Sequence, residues 1–306
     1  MNAGARVILC EPTLAARDAG IRTVMITGDG SATAVAIARQ LDLPVSVAVT
    51  GAEVDAASDL ELQAILAKDT LFARTKPVHK MRLVKALQAQ GLIVAMTGDG
   101  VNDAPALKQA DIGVAMGQRG TEVARDAADL VLLDDNFATI VAAIREGRRQ
   151  FDNIQKFVRY LLSSNAGEIV AILANIVIGG PLIFLATQIL WMNLVTDSIT
   201  AVALGLEKTE PDQMRRPPTP IIAPVLGLKG AAVIALFAAY TGTASLWIFY
   251  ELLPLGADLA RTAAFTGMIV FEKVSVFAFR SLDTPCTRIG WLSNPLLIGA
   301  VGTTLL

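Results

Sequence analysis

The chain has 306 residues, 53% of them hydrophobic and 18% charged, with a formal net charge of −2. That is too long for one small domain and too apolar for an ordinary soluble protein, so a membrane part is expected. The near-neutral balance, with no Arg-rich or Lys-rich stripe, lacks the basic field that nucleic-acid binding requires and makes nucleic acid an unexpected partner.

Met1 to Asp18 lacks a positively charged start followed by an apolar core and a small-residue cleavage site, so a signal peptide is not expected there and the first half is expected in the cytosol. Residues 1–156 carry most of the charge, whereas roughly the last half reads as long apolar runs broken by short polar loops. The chain therefore divides near residues 140–157. Cys10 and Cys286, the two cysteines, lie far apart in segments expected in or facing the cytosol, which argues against a disulfide framework.

In the first half, short β-rich runs recur between helical stretches: Arg22–Ile26, Val45–Val49, Leu71–Arg74, Leu92–Met96, Ile112–Met116 and Leu130–Leu133. Alternating strand and helix predicts an α/β fold with a parallel sheet. Two strands end alike, in Ile26-Thr27-Gly28-Asp29-Gly30 and Met96-Thr97-Gly98-Asp99-Gly100. This puts polar groups at the carboxyl ends of strands, where α/β sheets bind ligands. The second copy continues Val101-Asn102-Asp103-Ala104-Pro105, crowding two carboxylates and an amide into one turn before a helix. Asp99 and Asp103 thus offer hard oxygens to Mg²⁺, which takes carboxylates, waters and phosphate oxygens; the plainer alternative is a pair of helix N-caps.

Between the two copies, Lys76-Pro77-Val78-His79-Lys80 opens a helix just after a strand, which brings Lys80 within reach of a phosphate at the same sheet edge. His79 is the only histidine, so no His-centred triad or multi-His metal site exists, and packing at a helix start is its expected role.

Thr27-Gly28-Asp29, Lys80 and Thr97-Gly98-Asp99-Gly100-Val101-Asn102-Asp103 together resemble the phosphorylation domain of P-type ATPases, a haloacid-dehalogenase-like fold. The runs Ala110 to Gly117, Gly120 to Ala124 and Leu132 to Phe137 also look like this family. The resemblance implies ATP as the substrate of a complete pump. It implies that Thr27, Gly28 and Asp29 belong to the catalytic motif, with Thr27 and Gly28 contacting the phosphoryl group. It implies further that Lys80 balances the phosphoryl charge, that Asp99 and Asp103 hold Mg²⁺, and that Asn102 and Asp103 complete the pocket. The Asp-Lys-Thr-Gly-Thr segment that supplies the family's aspartyl nucleophile does not occur in the sequence, so autophosphorylation by this chain alone is not expected. The nucleotide-binding and actuator domains and the first four membrane helices of the family are likewise unmatched, so an N-terminal part of the pump is an expected partner.

In the second half, apolar stretches long enough to span a bilayer fall at roughly 157–179, 184–206, 226–252 and 262–281, and a fifth begins near Pro295. Arg145, Arg148, Arg149, Lys156 and Arg159 precede the first, and Lys208, Arg215, Arg216 and Lys229 follow the second, which places those ends in the cytosol. The expected protein is multi-pass, in contact with the lipid bilayer.

Polar groups inside these stretches point to function, since a carboxylate at bilayer depth costs on the order of 3 kcal/mol unless partnered or ligated. Asn165 and Glu168 lie three apart in the first stretch, and Asn193, Thr196 and Asp197 share a face of the second. Glu272 sits midway along the fourth and is read as a third carboxylate ligand, with an ion pair to its neighbour Lys273 as the alternative. Such oxygen-only ligands suit a hard cation such as Ca²⁺.

Ser163-Ser164-Asn165-Ala166-Gly167-Glu168 and Leu190-Trp191-Met192-Asn193-Leu194-Val195-Thr196-Asp197 resemble the fifth and sixth helices of sarcoplasmic-reticulum-type calcium pumps, and Glu272 matches an eighth-helix ligand. The resemblance implies a transported cation, Ca²⁺ or similar, held by Asn165, Glu168, Asn193, Thr196, Asp197 and Glu272. The family usually continues Asp-Gly-Leu-Pro or Asp-Ser-Leu-Pro, whereas this chain has Asp197-Ser198-Ile199-Thr200. The loop Glu207 to Pro220 looks like the connection that buttresses the phosphorylation domain.

Residues 1–140 are accordingly expected to form an incomplete phosphorylation domain. Residues 141–306 are expected to form a stalk and an α-helical transmembrane bundle, corresponding to helices five to eight and the start of nine. The alternatives are a non-catalytic membrane cation-binding chain and a membrane-tethered phosphatase; the latter needs a nucleophilic Asp on a first strand, and Met1–Glu11 contains no Asp.

Overall fold

The computed structural model describes residues 5–9 (backbone only), 19–40, 43–210, 212–219, 226–281 and 284–305. Two compact units result: Met1–Arg148 with Thr209–Ile221, and Arg149–Lys208 with Ile222–Leu306.

The first unit is built on two parallel sheets where the sequence pattern suggested one. A five-stranded sheet has the order β2-β1-β5-β6-β7, with β1 Ala5–Leu9, β2 Arg22–Val24, β5 Ile93–Gly98, β6 Ile112–Met116 and β7 Leu130–Leu132. The strands β3 Val47–Thr50 and β4 Thr70–Ala73 form a separate parallel pair. A single bridge between Ile26 and Phe72 joins β4 to the chain just beyond β2. Strand periodicity identifies strands but carries no information on which strands pair, so this split was not readable beforehand.

Helices lie between the strands: α1 Ser31–Gln40, α2 Gly51–Ala56, α3 Asp59–Leu66, α4 Pro77–Ala89, α5 Ala104–Gln109 and α6 Glu122–Ala127. Their starts follow local chemistry. Thr50 and Ser58 each form a capping box with the glutamate three residues on, and Pro77 occupies the first turn of α4. Alternate residues of the central strands enter different cores, as a pleated strand requires. Val94 and Met96 pack with Leu83, Leu87 and Phe72 in one, while Ala95, Ile112, Val114 and Met116 pack with Leu132, Ile140 and Ile144 in the other. Burying each such leucine contributes about 2 kcal/mol.

The segment 212–219 closes onto this unit through Arg148, a buried side chain whose guanidinium donates to Gln213 O (3.0 Å), Arg216 O (2.9 Å) and Ala19 O (2.6 Å). An arginine supplies five donors in a fixed fork, which suits it to gather several carbonyls.

A 41-residue helix, α7 Ala138–Ile178, begins in the first unit and continues into the second. The second unit adds α8 Ala186–Trp191, a π-helical turn Met192–Asp197, α9 Ser198–Gly205, α10 Gly227–Leu252, α11 Ala257–Ser275, α12 Cys286–Ile289 and α13 Pro295–Leu305. Among the described residues, three helical stretches are long and apolar enough to cross a membrane: Ala138–Ile178, Gly227–Leu255 and Ala257–Arg280. The stretch expected at 184–206 is instead helix in three pieces, α8, the π turn and α9. Ile169, Leu173, Ile176, Val177, Leu236 and Trp247 are exposed on α7 and α10, an apolar exterior that an aqueous protein would not carry. Inside, α7 and α10 approach closely. A Cβ on Gly242 would stand 2.6 Å from the carbonyl oxygen of Gly167, and one on Gly167 would stand 2.3 Å from Thr241 Oγ1. Only glycine permits that separation.

Candidate functional site

In the first unit the polar groups gather where β5 ends. The chain turns sharply at Gly98, whose missing side chain leaves room for Asp103: a Cβ there would lie 2.4 Å from the Asp103 Cβ. Asp103 folds back over the turn and its Oδ2 accepts from the Asp99 and Gly100 amides at 3.3 and 3.4 Å. Its Oδ1 accepts from Lys80 Nζ at 2.5 Å, a charge-assisted bond that ties α4 to the end of β5. A cavity of about 200 Å³ opens beside these groups, lined by Lys80, Thr97, Asp99, Asp103 and Arg119 among others.

The structure therefore brings Lys80, Asp99 and Asp103 together beside one cavity. Thr27, Gly28, Asp29 and Asn102 are not among the lining residues; of the first motif's neighbourhood only Ile26 is. Thr27 is instead pinned to the end of β4: its amide donates to Phe72 O (2.9 Å), and its carbonyl accepts from the Thr75 amide (3.1 Å) and hydroxyl (3.0 Å). The Thr27 hydroxyl also donates to Asp29 Oδ2 at 3.1 Å.

Arg119 escaped the sequence reading. It lies in a surface-looking loop, and what fixes it is Asp135, sixteen residues on, whose carboxylate accepts from the Gln118 amide (2.9 Å), the Arg119 amide (2.8 Å) and Arg119 Nε (3.3 Å). Burial pushes the Asp135 carboxyl up, and these donors outweigh it, holding the group below the usual carboxylate range. His79 packs at the helix start as expected. Its Nδ1 accepts from the Lys76 amide at 3.0 Å, which leaves the proton on Nε2, 2.9 Å from Asp55 Oδ1.

Two carboxylates beside a cavity fit Mg²⁺, which is held by one or two carboxylates with the remaining positions filled by water and phosphate oxygens. Among the described residues no three His, Cys, Asp or Glu side chains form a metal-holding group.

The second unit holds a buried polar cluster between α7, the π turn and α11. Asp197 and Glu272 share the hydroxyl of Ser164, which contacts Asp197 Oδ2 and lies 2.5 Å from Glu272 Oε1. Asp197 Oδ1 also receives Tyr160 OH (3.0 Å) and Lys273 Nζ (2.8 Å). One turn along α7, both Glu168 oxygens accept from Asn193 Nδ2 at 3.1 and 3.0 Å. Thr196 is buried, with its hydroxyl bonded to Met192 O at 2.9 Å. Glu272 Oε2 is buried with no hydrogen-bond partner.

Of the six residues expected at this site, Glu168, Asn193, Thr196, Asp197 and Glu272 are brought to one region. Asn165 is not: it is exposed, with its amide bonded to Leu161 O at 2.8 Å. Ser164, Tyr160 and Lys273 were missed as members. The pair that Glu272 and Lys273 suggested does not form, since Lys273 turns to Asp197. Cys286 is a free thiol, and Cys10 lies outside the described residues.

Comparison with known proteins agrees with both halves. The pattern of the haloacid dehalogenase-like hydrolases matches residues 11–111, and that of the C-terminus of cation-transporting ATPases matches residues 181–306. A haloacid-dehalogenase-like α/β unit joined to apolar helices with buried carboxylates defines the class, that of the membrane cation ATPases. Along these matched regions the chain belongs to the P-type cation-transporting ATPase family. A calcium-transporting ATPase of Bacillus subtilis is 47% identical over 296 residues, 95% of this chain and 33% of the relative. Calcium-transporting ATPase 1 of Schizosaccharomyces pombe is 40% identical over 298 residues, 94% of this chain and 33% of the relative. A probable cation-transporting ATPase F of Mycobacterium tuberculosis is 45% identical over 301 residues, 96% of this chain and 33% of the relative. The chain thus spans about a third of the length of these relatives.

Proposed function

We propose that this chain supplies part of the phosphoryl-transfer site and part of the membrane cation site of an ATP-driven pump for a hard divalent cation, Ca²⁺ by preference. The observation that carries the reading is the coexistence, in one chain, of the Lys80–Asp99–Asp103 cavity and a cluster of buried membrane-depth carboxylates. Packing alone does not explain the second, because burying Glu168, Asp197 and Glu272 costs free energy that a ligand or partners must offset.

In the α/β unit, Lys80 would oppose the charge of a phosphoryl group at the end of β5, with Arg119 across the cavity. Asp99 and Asp103 would hold Mg²⁺, whose chemistry there is to neutralise charge on phosphate oxygens. Thr27, Gly28, Asp29 and Asn102 lie outside the cavity and would join it only if the loops bearing them move on binding. Mechanistically, the pump would work through an aspartyl-phosphate whose nucleophile lies outside this sequence. Glu168, Asn193, Thr196, Asp197 and Glu272 would face the transported cation, and the Lys and Arg residues flanking the apolar stretches favour a cytosolic α/β unit. The absence of Thr27, Gly28, Asp29 and Asn102 from the lining of that cavity favours one second reading, a membrane cation-binding chain without catalysis of its own.

The test joins this chain to the region of the Bacillus subtilis relative that it does not span, and measures phosphoenzyme formation and Ca²⁺-dependent ATP hydrolysis. Asp99→Asn is expected to lower phosphoenzyme formation at least about 100-fold, as loss of a metal-holding carboxylate does. Glu168→Gln is expected to abolish the Ca²⁺ dependence. Wild-type behaviour in both variants overturns the proposal, and an inactive chimera that still binds Ca²⁺ supports the second reading.

A further inference from the structure

Lys273 is the feature of the membrane unit that the reading above leaves unused. Its side chain and that of Asp197 are both fully buried, at 0% exposure. An ammonium has three donors, and all three are taken: Asp197 Oδ1 at 2.8 Å, Tyr160 OH at 2.7 Å and Thr196 O at 3.1 Å. This is a settled position for a charge rather than a side chain in transit.

Asp197 is correspondingly spoken for. Lys273 and Tyr160 fill Oδ1, and Oδ2 meets the Ser164 hydroxyl, whose single proton it shares with Glu272 Oε1. Glu272 is different: one oxygen meets Ser164, and the other is buried without a partner. Glu168 meets only the amide of Asn193. The ligand-hungry oxygens are therefore those of Glu168 and Glu272.

We propose that Lys273 is a tethered cation that permanently occupies the Asp197 share of this cluster, so that the chain binds one divalent cation, on Glu168 and Glu272, and not two. The charge of this chain's own groups supports it: with all groups ionised, three carboxylates against one ammonium leave two negative charges. One divalent ion neutralises them, whereas a second would leave two uncompensated positive charges in a buried site, which is prohibitive. This rests on the reading that these helices hold a divalent cation; it withdraws Asp197 from the ligands named there and adds the number held and the residue that sets it.

The experiment counts ⁴⁵Ca²⁺ bound at saturation per chain, with the whole chain in lipid nanodiscs. Wild type and Lys273→Arg are expected to bind one Ca²⁺. Lys273→Met, which frees Asp197 and adds one negative charge to the site, is expected to bind two. The double variant Lys273→Met, Asp197→Asn, which restores the original charge, is expected to return to one. Because removing one partner of a buried pair is destabilising, Lys273→Met is read only if it elutes as a single species in Ca²⁺. If it does not, the wild type and the double variant decide. A wild-type count of two, or a folded Lys273→Met that stays at one, overturns the assignment of Lys273. No Ca²⁺ bound by any variant, the wild type included, overturns the cation-site reading itself.

Discussion

Glu207 shows how a single side chain can hold a loop together. Both its oxygens accept from the Arg280 guanidinium, at 3.0 and 2.7 Å, and Asn294 donates to Oε2 at 3.0 Å. Arg280, itself fully buried, goes on to Gly290 O and Ser293 Oγ at 2.8 and 2.5 Å, so the network is satisfied at both ends. Burial raises the Glu207 carboxyl, but the bonds from Arg280 and Asn294 prevail and hold it below its ordinary range. Glu207→Ala strands the guanidinium and should cost about 3–5 kcal/mol, read as a lower denaturation midpoint in detergent. None of this was legible in the sequence, where Glu207 and Arg280 stand 73 positions apart. The same limit hid Lys273: adjacency to Glu272 suggested a local pair, yet neighbours on a helix do not face each other, and its partner lies 76 positions away. By contrast, the Asp99 to Asp103 turn was readable because its contacts close within five residues.

Among the elements, α2 and α3 are short helices started by capping boxes. The Thr50 amide and hydroxyl pull the Glu53 carboxyl below its ordinary range, and the Ser58 amide and hydroxyl do the same to Glu61. A carboxylate lowered in the folded state stabilises above its unfolded pKa, about 4.3 for glutamate, and that benefit fades as pH falls through the folded value. The thermal midpoints of wild type and of the double variant Glu53→Gln, Glu61→Gln should thus differ at pH 7 and converge below about pH 4. A gap that widens in acid would count against these caps. In the membrane unit, the approach of α7 and α10 at Gly167 and Gly242 leaves no room for a branched side chain. Gly242→Val should cost about 1–3 kcal/mol by forcing the helices apart, while Ala239→Val, one turn away on an exposed face, should leave the midpoint unchanged. Helix positions were largely legible from apolar length, but the π turn was not. It adds backbone without altering composition, and it lies where Asn193, Thr196 and Asp197 are presented.

At the scale of the whole molecule, the apolar exterior of α7, α10 and α11 calls for lipid. The chain should stay with the membrane pellet after alkaline carbonate washing, and its release into the supernatant would contradict the assignment of those helices. The contrast between a charged first half and an apolar second half was plain in the composition. The exact division of the chain was not, because residues 209–221 rejoin the α/β unit after an excursion through the other. That return, fastened by Arg148, makes the two units interleaved in sequence, with the backbone passing between them at three places, after residues 148, 208 and 221. Genetic shuffling moves contiguous stretches of coding sequence, so a crossover after residue 148 or 208 would give a hybrid whose α/β unit is stitched from two parents, and one after residue 208 or 221 would do the same to the membrane unit. Two units divided this way along one chain are constrained to be inherited together.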